Sequence, residues 1–130
     1  MKILFYGAGF VAVLHGVIHI MGFVAYWPLA KLAELPYKTA VLGGRWEIGP
    51  MGMRLFGLLW LVAALGFLVA TVAMLMHLGW WRTAMISSIV LSSLVIALDW
   101  APAFRGSIAN LLLLVVVALA TWVPRLWPDR

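Results

Sequence analysis

Cysteine is absent from the 130 residues. No disulfide framework, thiol nucleophile, dithiol relay or thiolate metal site can be built without it. Charge is scarce too: Asp, Glu, Lys and Arg make up 10% of the chain, and only four of them are acidic. A soluble domain carries about 25% charged and about 45–50% apolar residues. Motifs are also missing: there is no phosphate-cradling glycine loop, Gly-x-Ser-x-Gly elbow or His-Glu-x-x-His helix. Internal repeats and low-complexity tracts are absent as well.

What the chain does hold is apolar side chain, 66% of it, with a mean hydropathy of +1.11. A soluble fold of this size could not bury that much, because small domains hide only part of their surface. Four segments, roughly 3–26, 51–75, 83–101 and 106–123, reach the ~20 apolar residues that a membrane crossing needs. The first exceeds the ~7–15-residue core of a signal peptide and carries His15 and His19, so it reads as a retained span. The expected fold is an all-α membrane protein. It is a single domain over 1–130, an antiparallel four-transmembrane-helix bundle with a long, partly structured first loop at 28–50.

Aromatic and proline residues mark the same edges. Trp27, Trp80, Trp81, Trp100 and Trp122 fall at span ends, where indoles favour the membrane–water interface. Only Trp60 sits well inside a span. Pro28, Pro50, Pro102 and Pro124 start or stop helices at these borders. Two short links, His77–Arg82 and Ala101–Arg105, force antiparallel neighbours. In the long loop, Leu29–Leu35 reads as one or two turns of interfacial amphipathic helix stopped by Pro36. Gly43-Gly44 breaks the chain again, and Arg45-Trp46-Glu47-Ile48 alternates as a short extended piece does.

Four spans place Lys2, Arg82, Arg125 and Arg130 on one side and Lys31, Lys38, Arg45, Arg54 and Arg105 on the other. That balance assigns no orientation under the positive-inside rule. The formal charge of +5 is therefore split over both faces. It fits attraction to anionic lipid headgroups rather than a nucleic-acid patch.

The deep polar residues are less evenly spread. His15 lies roughly 15 Å below the edge at Trp27, and His19 follows one turn above it on the same helix face. Asp99 closes the third span in line with Ser88 and Ser92, Asn110 lies one turn into the fourth, and Arg54 opens the second. The loop bearing Tyr37, Arg45, Trp46 and Glu47 emerges on the same side, as does Trp100; His77 is at the opposite end. Ionisable groups at such depth face the protein interior or a water-filled cavity. Structural readings stand beside functional ones. Histidines and serines join membrane helices, and Arg54 can snorkel to the interface. Two histidines at i, i+4 need further ligands for a metal, and a bis-histidine haem needs ligands from opposite faces. No metal is assigned, and the cofactor is unknown.

The stretch Ala8-Gly9-Phe10-Val11-Ala12-Val13-Leu14-His15-Gly16-Val17-Ile18-His19-Ile20 resembles the first helix of DoxX-like proteins. In these small four-helix bacterial membrane proteins a glycine is often followed one turn later by Lys or His, as Gly16 and His19 are here. The loop segments Pro36-Tyr37-Lys38-Thr39 and Gly43-Gly44-Arg45-Trp46-Glu47 depart from that pattern. The resemblance implies a four-helix bundle in a bacterial inner membrane. It lends no activity.

The leading expectation is a cavity near one leaflet that holds an apolar or amphipathic ligand: a lipid, quinone or isoprenoid. His15, His19, Asp99 and Glu47 are its candidate catalytic residues, since imidazole beside carboxylate transfers protons near neutral pH. Such a pair would serve isomerisation or cyclisation of a membrane-soluble substrate. Arg54, Asn110, Tyr37, Arg45, Trp46, Trp100 and Ser92 are the candidate ligand contacts. Two alternatives stand: a non-catalytic accessory subunit bound to a membrane-protein partner, and a small oligomeric transporter. Small residues such as Gly57, Ala63, Gly66 and Ala70 would let copies associate as a homo-oligomer.

Overall fold

A computed structural model of the chain describes residues 2–127. Arg130, counted above in the charge balance, lies outside them. The described chain is mostly helical. Its elements run α1 (Lys2–Tyr26), β1 (Ala40–Val41), β2 (Trp46–Glu47), α2 (Gly49–Leu75), α3 (Trp81–Leu98), α4 (Trp100–Ala103) and α5 (Gly106–Trp122), then one 3-10 turn at Pro124–Leu126. By length and composition α1, α2 and α3 are long and apolar enough to cross a membrane. At 17 residues, α5 is shorter.

Each border has a local cause. Pro28 disfavours helical geometry at Trp27, and α1 ends at Tyr26. Pro50 lies in the first turn of α2, where its missing N–H costs nothing. At the other end of α2, His77 takes a left-handed conformation (φ 55°). The Leu78 N–H then bonds the Ala73 carbonyl at 2.8 Å, and the His77 N–H bonds that of Met74 at 3.0 Å. This is a Schellman stop with histidine where glycine is usual, which gives His77 a structural place far from the other histidines.

Two expectations need correction. The third helix stops at Leu98 rather than reaching 101, with a break at Asp99 (φ −124°, ψ 41°) before the single turn of α4. Pro102 has no N–H to offer the Leu98 carbonyl four residues back. That carbonyl instead accepts the Leu42 N–H of the long loop at 2.8 Å. The second concerns Leu29–Leu35, which forms no helix and carries only a bridge between Leu32 and Leu35. Seven residues between two prolines are too few to offset helix nucleation, and Leu35, preceding Pro36, is turned away from helical geometry. The segment is pinned by burial of Leu35 instead.

The extended piece expected near Arg45 pairs antiparallel with Ala40–Val41, in the register Ala40↔Glu47 and Val41↔Trp46. Its turn needs positive φ at Leu42, Gly43 and Gly44.

α1 packs along α2, α2 along α3 and α3 along α5, and α5 returns to α1, closing a ring. The α1–α2 seam is built from small residues on α1, including Ala8, Gly9, Ala12, Gly16 and Gly22. At Gly16 a Cβ would stand 3.1 Å from the Ala64 carbonyl oxygen, and at Gly22 it would run into the Trp60 ring. Two apolar clusters fill the interior. One gathers Phe5, Phe67, Met74, Met85 and Leu113, and is closed by Trp81 stacked on Trp127 at 5.0 Å. Both indoles are buried. The other gathers Tyr26, Leu35, Val41, Phe56 and Trp60 beneath the loop. Outside, the helices present Phe10, Leu14, Leu55, Val69, Val90 and Leu112 to their surroundings.

The seam gives a test. Gly22→Ala should lower the melting temperature in detergent, with a loss of about 1–3 kcal/mol from overpacking. Gly7→Ala, at a helical position with nothing within 4 Å, should not lower it, since alanine is the better helix former.

Candidate functional site

Between the two apolar clusters lies a polar layer drawn from three helices: His15 and His19 of α1, Ser92 of α3 and Asn110 of α5, all buried. Its proton arrangement follows from one backbone contact. His19 Nδ1 is 2.9 Å from the His15 carbonyl oxygen, which can only accept, so Nδ1 carries the proton and Nε2 is an acceptor. Ser92 Oγ, 2.8 Å from that Nε2, donates its only proton there. Asn110 Nδ2 donates to Ser92 Oγ at 2.9 Å and to Ser93 Oγ at 3.1 Å. His15 Nε2 then faces only lone pairs, those of Asn110 Oδ1 at 2.9 Å and Ser92 Oγ at 3.3 Å, and must carry the proton. His15 Nδ1 is left as a lone-pair acceptor, and no hydrogen bond reaches it from the described residues.

A cavity of about 380 Å³ opens beside this layer. His15, His19, Trp60, Ile96, Gly106 and Ala109 line its depth. Leu35 contributes from the loop, the exposed Glu34 and Arg105 stand at the rim, and Ile18 and Met21 lead out along α1. The rings of His15 and His19 are 4.5 Å apart, and those of His19 and Trp60 are 5.0 Å apart. Trp60 is 4% exposed, and its indole N–H is buried without a hydrogen-bond partner among the described residues.

The structure does not bring Asp99, Arg54 and Glu47 to the histidines. Asp99 is buried in a second polar cluster, where its carboxylate accepts the Tyr26 hydroxyl and pairs with Lys38 of the loop. The imidazole–carboxylate pair expected from sequence is thus replaced by two separate assemblies. Arg54 is exposed and forms no ion pair with the described residues: it lies over the Trp27 ring at 5.8 Å, while the Trp27 indole N–H bonds the Arg54 carbonyl. Glu47 turns back on the Gly49 N–H. Tyr37, Arg45, Trp46 and Trp100 are exposed and do not line the cavity. Of the candidate residues, His15, His19, Ser92 and Asn110 come together.

Trp60, Glu34 and Arg105 reach the cavity although sequence reasoning did not place them there. A signal existed for Trp60, the one tryptophan deep inside a span. Among the described residues, no group of three or more His, Asp or Glu is placed to hold a metal ion.

Two expectations follow. Ser92→Ala strands the His19 acceptor and an Asn110 donor, with a loss of about 1–3 kcal/mol read as a lower melting temperature in detergent. Ser88→Ala, whose hydroxyl bonds only the Ala84 carbonyl of its own helix, should change it little. Lys38→Met leaves the buried Asp99 carboxylate without its cation and should also destabilise. Adding Asp99→Asn should recover most of that loss, because the amide oxygen still accepts the Tyr26 hydroxyl and needs no cation. Compared with protein-family models, curated proteins and solved structures, the chain matches none of them.

Proposed function

We propose that the chain is a multi-pass protein of a bacterial inner membrane that binds an apolar or amphipathic small molecule between its helices. The carrying observation is the cavity beside the histidine layer, lined by His15, His19 and Trp60 among mostly apolar side chains. Ligand pockets are mostly apolar concavities with a few placed polar groups, and this one has that balance. Its entrance between Ile18 and Met21 lies on the apolar exterior of α1, so a membrane-soluble molecule would enter sideways from the bilayer.

The reading takes all four long helices as spans. At about 1.5 Å per residue, α5 covers about 26 Å of an apolar layer of about 30 Å, a shortfall met by local thinning or snorkelling. The first helix's resemblance to DoxX-like proteins accords with such a bundle. Any acid–base turnover would fall to His15, whose Nδ1 is the basic atom on the wall. Asp99, engaged elsewhere, would not share it.

The protein purified in detergent should carry an apolar molecule detectable by mass spectrometry after solvent extraction. Ala109→Phe, which fills the cavity from α5, should reduce that molecule at least tenfold. Leu112→Phe, on the exposed side of the same helix, should not. Equal amounts in the wild type and Ala109→Phe would dismiss the cavity as the binding site.

A further inference from the structure

The charges at the mouth of the cavity constrain which amphiphile it takes. Resting on the binding function proposed above, we infer that the occupant is a zwitterionic amphiphile, with its apolar chain in the cavity and a head of one anion and one cation at the rim. Of the residues that line the cavity, Glu34 and Arg105 alone are an acid and a strong base, one of each sign, and both are exposed. Glu34 lies on the long loop that follows α1, and Arg105 immediately precedes α5, so both belong to the same end of the bundle. Among the described residues neither is spent on a partner of opposite charge, since the one ion pair there joins Lys38 to Asp99. The Arg105 guanidinium lies 5.7 Å from the ring of its neighbour Phe104, which leaves its positive charge unneutralised.

The depth of the cavity suits a chain rather than a head. Ile18, Met21, Leu35, Ile96 and Ala109 line it with apolar surface. Its polar members are already engaged: both His19 nitrogens bond protein atoms, and His15 Nε2 bonds Asn110. A charged group carried to that depth would lose its water without gaining a counter-charge. The head therefore stays at the rim, and the chain reaches in past Ile18 and Met21, which are exposed on the outer face of α1. At the rim an anionic head meets Arg105 but also the like charge of Glu34. A cationic head meets the reverse, and an uncharged head answers neither. A head of both signs answers both.

Four amphiphiles with the same saturated chain length separate these chemistries at neutral pH. They are myristoyl-lysophosphatidylethanolamine (zwitterionic), myristoyl-lysophosphatidylglycerol (anionic), myristyltrimethylammonium (cationic) and monomyristoylglycerol (uncharged). Each is titrated against the full chain in a non-ionic detergent by native mass spectrometry. The zwitterion should bind about three- to fivefold more tightly than each of the others, the scale of exposed ion contacts. Glu34→Gln should raise the anionic probe to the zwitterion's affinity, and Arg105→Gln should raise the cationic probe to it. Both expectations are gains in binding, which a damaged fold does not produce. Free phosphoethanolamine, the same head without a chain, should not bind measurably. Equal affinities for the zwitterionic and anionic probes overturn the inference, as does tightest binding of the uncharged probe, failure of either gain, or binding of phosphoethanolamine as tight as that of the lysolipid. If all four probes bind equally and all are lost in Ala109→Phe, the head assignment falls and the cavity stands. Binding of none, or binding indifferent to Ala109→Phe, removes the proposed function itself.

Discussion

Ser92 has a single proton and stands within hydrogen-bonding distance of His15, His19 and both polar atoms of the Asn110 amide. How that proton is spent decides the rest of the polar layer. Committed to His19, it turns the serine oxygen into an acceptor, orients the Asn110 amide and fixes the tautomer of His15. The layer joins α1, α3 and α5, and a sliding of any one of them by a turn would separate its members. The large exposed side chains around the helices include many leucines, valines and isoleucines together with methionines and aromatics, and in an apolar surrounding water is not at hand to replace a lost partner. Under that constraint the hydrogen bonds serve as register marks, with apolar packing filling the space above and below.

The second polar cluster follows from one proline. Pro102 withdraws an N–H from the last turn of α3, and the free Leu98 carbonyl is taken by Leu42. Asp99, released from helical geometry, meets Tyr26 from α1 and Lys38 from the loop. The long connection is thus tied at two adjacent places to the end of α3. Leu35 and Glu34 belong to the same loop and border the cavity. The clasp at Asp99 therefore also ties down the loop that borders the cavity.

Hydropathy made the helices legible, and local signals also gave the break at Gly43-Gly44 and the extended piece after it, but not its pairing with Ala40–Val41. Spacing alone put His15 and His19 on one buried face. The partner of Asp99 was not legible, since Lys38 lies 61 residues away and nothing in either neighbourhood selects it over Arg54. The loop's Leu29–Leu35 misled for a different reason: its periodicity suits a helix, but the flanking prolines leave too few residues to form one. Trp60 was conspicuous in sequence as a deep indole. Its place beside His19 depends on Gly22 of α1, where any side chain would occupy the ring's position. Contacts between helices carry that information.

The two polar clusters differ in one respect that bears on function. Around Asp99 the buried groups answer one another: the carboxylate takes a hydroxyl on one oxygen and an ammonium on the other. Such closure is what a purely structural polar site requires, since an unpaired buried group costs about 1–3 kcal/mol. Around His15 the closure is incomplete: among the described residues no hydrogen bond reaches His15 Nδ1, and a cavity of about 380 Å³ lies beside the layer. A bundle able to satisfy a buried carboxylate could have filled this space with leucine. An open cavity carries a stability cost in the empty state. The asymmetry between a closed cluster and an incompletely closed one is the physical reason the proposed binding site is placed at the histidines and the loop's tether at the aspartate.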